Sequence, residues 1–181
     1  MNKILIVPGA FQTIKNYGNY NGLDIWLKSY SEEFPQADFY IGHSIGVNFT
    51  LSHYDLIKNS KFIFVNPLIK KVNLISLSAN WIKFLFHEGI KWEKVTPISN
   101  WLFDFKRIFE LLKVDAFGVM LKIPRDHIVV IKGNNDNYFC DKQSVNILKN
   151  NGFTVIEVEA GHDWNQNIAK TTESCINEQN F

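Results

Sequence analysis

The residues best placed to do chemistry begin with Gly42-His43-Ser44-Ile45-Gly46, a G-x-S-x-G run that follows a short apolar stretch and leads at once into a helical pattern. In that strand-turn-helix setting the spacing has a mechanical meaning. A serine at the tip of a sharp turn is pushed out of the sheet, and glycines on both sides remove the Cβ atoms that would clash where strand and helix meet. The backbone N–H after the serine, that of Ile45, points to where an oxyanion would form. A serine hydroxyl needs a base at neutral pH, and the base needs an orienting acid. Two loops further along supply both types: Gly133-Asn134-Asn135-Asp136 carries a carboxylate, and Gly161-His162 carries an imidazole.

The elements that must position these groups are legible as hydrophobic runs. Residues 3–7, 38–41, 61–65, 127–131 and 153–158 are apolar without alternation, the pattern of strands covered on both faces of a parallel sheet. Glu157 and Glu159 share one face of the last run, which places it at a sheet edge. Helical periods lie between the runs. Leu23, Trp26, Leu27 and Tyr30 repeat at i, i+3, i+4 and i+7 behind an Asn21-Gly22 break, so a helix is expected there. Others are expected over 45–59 and over 141–150, the latter stopped by Asn151-Gly152. Alternating strands and helices predict an α/β fold of about five mostly parallel strands. In such a sheet the C-terminal strand ends share one rim, so Ser44, Asp136 and His162 can converge there.

These motifs resemble those of the α/β-hydrolase superfamily, in particular its small serine hydrolases, over most of the chain apart from residues 67–124. The resemblance implies that Ser44 is the nucleophile, His162 the general acid/base and Asp136 the orienting carboxylate. It also implies an oxyanion hole built from the N–H of Ile45 and a donor in Pro8-Gly9-Ala10-Phe11, with Ala10 the second donor and Phe11 the alternative. The activity implied is cleavage of a carboxylic ester or thioester through an acyl-enzyme, with no metal or organic cofactor. An amidase or peptidase using the same triad is the runner-up, and a non-catalytic binding protein on the hydrolase fold is the rival from another class. Family members usually carry a further strand and helix before the nucleophile, whereas here only residues 11–36 intervene. One strand is therefore expected to be missing. Strands then running in sequence order would place their crossover helices on one face. The opposite face needs other cover: the segment from Trp164 onward, a well-packed loop over residues 11–20, the insertion, or a second copy in a homodimer.

Length and composition bound the alternatives. The chain of 181 residues is read as one domain, with residues 67–124 as a helical insertion or cap, too long for a single crossover. Helices are expected within it over 76–87, 99–112 and 115–122. Aromatic residues make up 14% of the chain, and they thicken in this insertion, where Trp81, Trp92 and Trp101 lie. Phe11, Trp81 and Phe84 are picked as substrate contacts, which points to a small-molecule acyl substrate with an apolar group. A net charge of +1 offers no surplus for nucleic acid or an anionic membrane. Two cysteines, Cys140 and Cys175, make no framework, and no apolar run approaches the roughly 20 residues of a membrane span. A soluble, cytoplasmic protein is the expectation. His87-Glu88 starts an HExxH pattern, but Lys91 stands where its second half should begin, and no G-x-G-x-x-G or Walker loop opens a helix.

Overall fold

The computed structural model describes residues 2–30, 34–71, 74–89 and 95–178. Trp92, counted with the aromatic insertion, lies outside the described residues. Five strands form one sheet in sequence order: β1 (Ile4–Val7), β2 (Phe39–His43), β3 (Lys61–Val65), β4 (Ile128–Gly133) and β5 (Thr154–Val158). Every neighbouring pair is parallel, with Leu5 opposite Tyr40, Tyr40 opposite Phe62 and Phe62 opposite Ile128. The runs that read as strands are strands, and β5 is the sheet edge on its side.

Alternation along the strands divides the core in two. Leu5, Tyr40, Phe62, Phe64, Ile128 and Val130 face one way, against Val47 and Leu51 of α1 (Gly46–Ser52), Met120 of α4 (Ala116–Met120) and Leu148 of α5 (Lys142–Asn150). Asp141 caps α5 by accepting the Ser144 N–H at 2.9 Å, which satisfies one of its orphan donors. Ile6, Ile41, Ile63, Val65, Val129 and Ile131 face the other way. Tyr17 from the loop after β1, Trp164, and Ile168, Cys175 and Ile176 of α6 (Gln166–Glu178) cover them. The second face is thus closed by the chain's own loop and C-terminal helix, two of the covers that the sequence offered.

The helix expected from Leu23 to Tyr30 is not formed. Leu23, Ile25 and Trp26 are buried while Leu27 and Tyr30 of the expected helical face are only partly so, and the backbone makes successive turns, with Leu27 N–H donating to Asp24 O and Tyr30 N–H to Leu27 O. The open edge of β1 decides this. Ile6 N–H donates to Asn21 O and Leu23 N–H to Ile6 O, both at 2.9 Å, so residues 21–23 run parallel to β1 and satisfy backbone groups that a helix there would leave bare.

Between β3 and β4 come α2 (Leu74–Glu88), α3 (Trp101–Leu111) and α4, close to the three helices expected. This segment is tied back to the loop after β1. Thr96 N–H donates to Phe11 O at 2.7 Å beside an antiparallel bridge between Gln12 and Val95. Phe11 stacks edgewise on Trp81 of α2 and Phe105 of α3.

Candidate active site

Ser44 sits between β2 and α1 with φ 54°, in the left-handed region that an ordinary residue avoids. The turn is held by close packing. A Cβ on Gly46 would lie 2.4 Å from Val7 O and 2.6 Å from Pro8 O, and one on Gly42 would lie 2.9 Å from the Val47 backbone. Only glycines let α1 start this close to β1 and β2. The G-x-S-x-G spacing is therefore the condition for presenting Ser44 at the rim.

Three distant residues meet there. Ser44 Oγ lies 2.8 Å from His162 Nε2, and His162 Nδ1 lies 2.7 Å from Asp136 Oδ2. Asp136 is fully buried and accepts the N–H groups of Tyr138, Phe139 and Cys140 at 3.1, 3.1 and 3.2 Å. Burial alone would favour its neutral form. The facing imidazolium and those N–H donors outweigh burial and hold the carboxyl well below the usual range. For His162 burial opposes the charge, but the Asp136 charge and hydrogen bond prevail and raise its pKa above the ordinary value.

The backbone of His162 is clamped at both ends. Its N–H donates to Glu88 Oε1, on the last residue of α2, at 2.9 Å. Its C=O accepts from Asn66 Nδ2 at 2.8 Å and lies 2.9 Å from His43 Nε2. A carbonyl only accepts, so His43 carries its proton on Nε2, and its Nδ1 lies 2.7 Å from the Tyr17 hydroxyl. Burial, then the His162 charge, pushes the His43 pKa down to about 4, so this ring stays neutral at pH 7. Tyr17 in turn accepts the Gly9 N–H at 2.9 Å, and its hydroxyl donates to Gln12 Oε1. With the Gly9 N–H engaged by Tyr17, the loop that carries Ala10 is fixed relative to the His162 loop.

A cavity of about 60 Å³ lies over Ser44, with Ala10, Ile45, Leu68, Phe139 and His162 among its walls. Ala10 and Ile45, the two expected donors, thus border the same space as the serine. Trp81 and Phe84 line it too, and both extend with Phe11 into an adjoining apolar cavity of about 430 Å³. Phe84 and Phe139 stand against the His162 ring, at 5.8 and 4.5 Å between centroids. Every residue picked from the sequence borders one of these spaces except Asp136, which lies behind His162.

Several site residues escaped sequence reasoning. Tyr17 sits in a loop without periodicity, and Glu88 drew notice only as half of a metal motif. Asn66 could have been found, because it follows a strand and so falls on the rim; it has φ 46° and binds Gly133 N–H as well as His162 O. Cys140 is buried, which pushes its thiol pKa upward and leaves it inert. Among the described residues no three His, Cys, Asp or Glu side chains come together as a metal site.

Compared by sequence alone, the chain matches no protein-family model and no curated protein. Compared by structure, it is similar to an α/β-hydrolase enzyme from a Medee basin deep-sea metagenome library, with a TM-score of 0.54 and 11% identity over 97% of this chain and 88% of that one. A thermophilic esterase from Thermogutta terrifontis gives 0.52 and 10% over 98% and 90%. The thioesterase domain from the curacin biosynthetic pathway gives 0.52 and 12% over 96% and 90%. The chain has the α/β-hydrolase fold, with five parallel strands in one sheet.

Proposed function

We propose that the chain is a serine hydrolase that cleaves a carboxylic ester or thioester. The observation that carries this reading is the unbroken hydrogen-bonded line from Ser44 Oγ through His162 to the buried Asp136. Neutral His162 takes the Ser44 proton as Oγ attacks the substrate carbonyl. The Asp136 charge stabilises the imidazolium that forms and keeps the proton-bearing nitrogen turned toward itself. The N–H groups of Ile45 and Ala10 receive the oxyanion. Collapse of the tetrahedral intermediate expels the alcohol or thiol with the proton from His162, leaving an acyl-Ser44. Water, activated by the same imidazole, then releases the acid. The segment from β3 to β4 acts as a roof over the apolar part of the substrate, with Phe11, Trp81 and Phe84 in contact with it.

Labelling with a fluorophosphonate probe tests the reading. Wild type is expected to label and Ser44→Ala is not. A wild type that fails to label, or an alanine variant that labels equally, overturns it and favours a binding protein on a hydrolase fold.

A further inference from the structure

The hydrogen bond from His162 to Glu88 joins two parts of the chain with different tasks in the proposed reaction. Glu88 ends α2, the helix whose Trp81 and Phe84 wall the space over Ser44, and His162 lies in the loop after β5. The Glu88 carboxylate accepts the His162 N–H at 2.9 Å through Oε1 and 3.2 Å through Oε2, and the Asp163 N–H lies 3.5 Å from Oε2. One turn earlier on the same helix face, Phe84 stands edgewise on the His162 ring, 5.8 Å between centroids. Helix α2 therefore touches His162 at both its ring and its backbone.

Two features separate this contact from incidental packing. An acidic side chain in the last turn of a helix lies beside the negative end of the helix dipole, where a basic one is favoured, so α2 itself gives no reason for a glutamate there. Gly161, next to His162, leaves the room that the carboxylate fills. A Cβ on Gly161 would lie 2.6 Å from both Glu88 oxygens and 2.7 Å from the carbon that bears them, and these are the three nearest atoms to it beyond its chain neighbours. His162 is only 6% exposed, and removing the carboxylate would take this acceptor from its N–H within the fold.

We propose that Glu88 is a positioning residue of the hydrolytic reaction: by holding the His162 N–H it sets where Nε2 meets Ser44 Oγ and ties the base to the helix that roofs the substrate. The proposal rests on the reading of Ser44 as the nucleophile. Asn66 and His43 hold the His162 C=O separately, so loss of Glu88 frees one end of the residue and leaves the other in place. Misplacing a reacting group by about 1 Å costs on the order of 100-fold in rate, which bounds the effect from above. The role is that of an acceptor, so an uncharged acceptor of the same reach suffices.

Steady-state kinetics on the p-nitrophenyl ester of hexanoic acid, together with amide exchange, tests it. Glu88→Ala is expected to lower kcat by about 10- to 100-fold. KM should stay within about twofold, because the same base serves acylation and deacylation. Glu88→Gln keeps an acceptor oxygen and is expected to recover kcat to within about threefold of wild type. Gly161→Ala displaces the carboxylate and should lower kcat as Glu88→Ala does, while the double variant should be no worse than Glu88→Ala alone, since the added methyl then has room. Hydrogen exchange at the His162 amide, followed by NMR, reads the bond without catalysis: it should be slow in wild type and Glu88→Gln, and at least about tenfold faster in Glu88→Ala. Unchanged kcat in Glu88→Ala, an equal loss in Glu88→Gln, a loss confined to KM, additive effects of the two substitutions, or exchange that ignores residue 88 overturns the proposal and leaves Ser44 in place. A wild type that neither labels with the fluorophosphonate nor hydrolyses the ester overturns the reading of Ser44 and this role with it.

Discussion

His162 is held through both ring nitrogens and both of its backbone polar groups. Its ring bonds Asp136 and Ser44, its N–H bonds Glu88, and its C=O is shared by Asn66 and His43. In the proposed mechanism, a base fixed in this way loses little to reorientation in the transition state, which is what positioning contributes to rate. Its protonation carries a testable sign. Only neutral His162 can take the serine proton, and Asp136 raises its pKa above the ordinary value of about 6.5. Activity is therefore expected to fall as pH falls, with the acid limb of the kcat/KM profile centred above 6.5. Asp136→Asn removes the charge and replaces one of the two acceptor oxygens by an amide NH2 donor. It is expected to move that limb downward and to lower kcat by about 10⁴-fold, as measured by pH-dependent steady-state kinetics. Ser44, Asp136 and His162 were legible in the sequence because motif and topology both point to them. Tyr17 and Glu88 were not, since their roles exist only through contacts with residues far away in the chain.

At the scale of elements, the strands were readable because a parallel sheet buried on both faces demands continuous apolar runs, and all five such runs became strands. The segment from Leu23 to Tyr30 misled because its spacing fits a helix, yet the free edge of β1 offered backbone partners that an isolated stretch cannot weigh. The junction of β2 and α1 is the least tolerant. At Gly46 an added Cβ would meet two backbone oxygens, which cannot rotate away as a side chain would. Gly46→Ala is expected to cost about 1–3 kcal/mol in urea unfolding. It should also displace the Pro8-Gly9-Ala10 loop, so kcat should drop along with stability.

For the whole molecule the decisive question is what covers the sheet face that crossover helices leave open. Tyr17 and Trp164 pack there with their rings 5.0 Å apart, beside Ile168 and Ile176 of α6. Trp164 is only 7% exposed and stands two residues beyond His162. Truncating it should therefore loosen the core and the site together. Trp164→Ala is expected to lower unfolding stability by about 3–5 kcal/mol, measured by denaturant titration, with a matching downward shift in thermal midpoint. The apolar residues left exposed lie mainly elsewhere, with Phe86 of α2 at 85% and Leu102 of α3 at 87%.

What the sequence by itself determined was local or periodic. Apolar runs set the strands, and glycines set the turn that only they can make. Chain order set which loops carry the serine, the carboxylate and the imidazole, because consecutive parallel strands bring their C-terminal ends to one rim. What only the tertiary structure decided was pairwise and long-range. The β1 edge claimed residues 21–23, Tyr17 joined the Gly9 loop to His43, and Glu88 reached the His162 backbone from the end of α2. Such contacts depend on complementary distances between surfaces that exist only after the chain has folded, and a one-dimensional pattern carries no record of them.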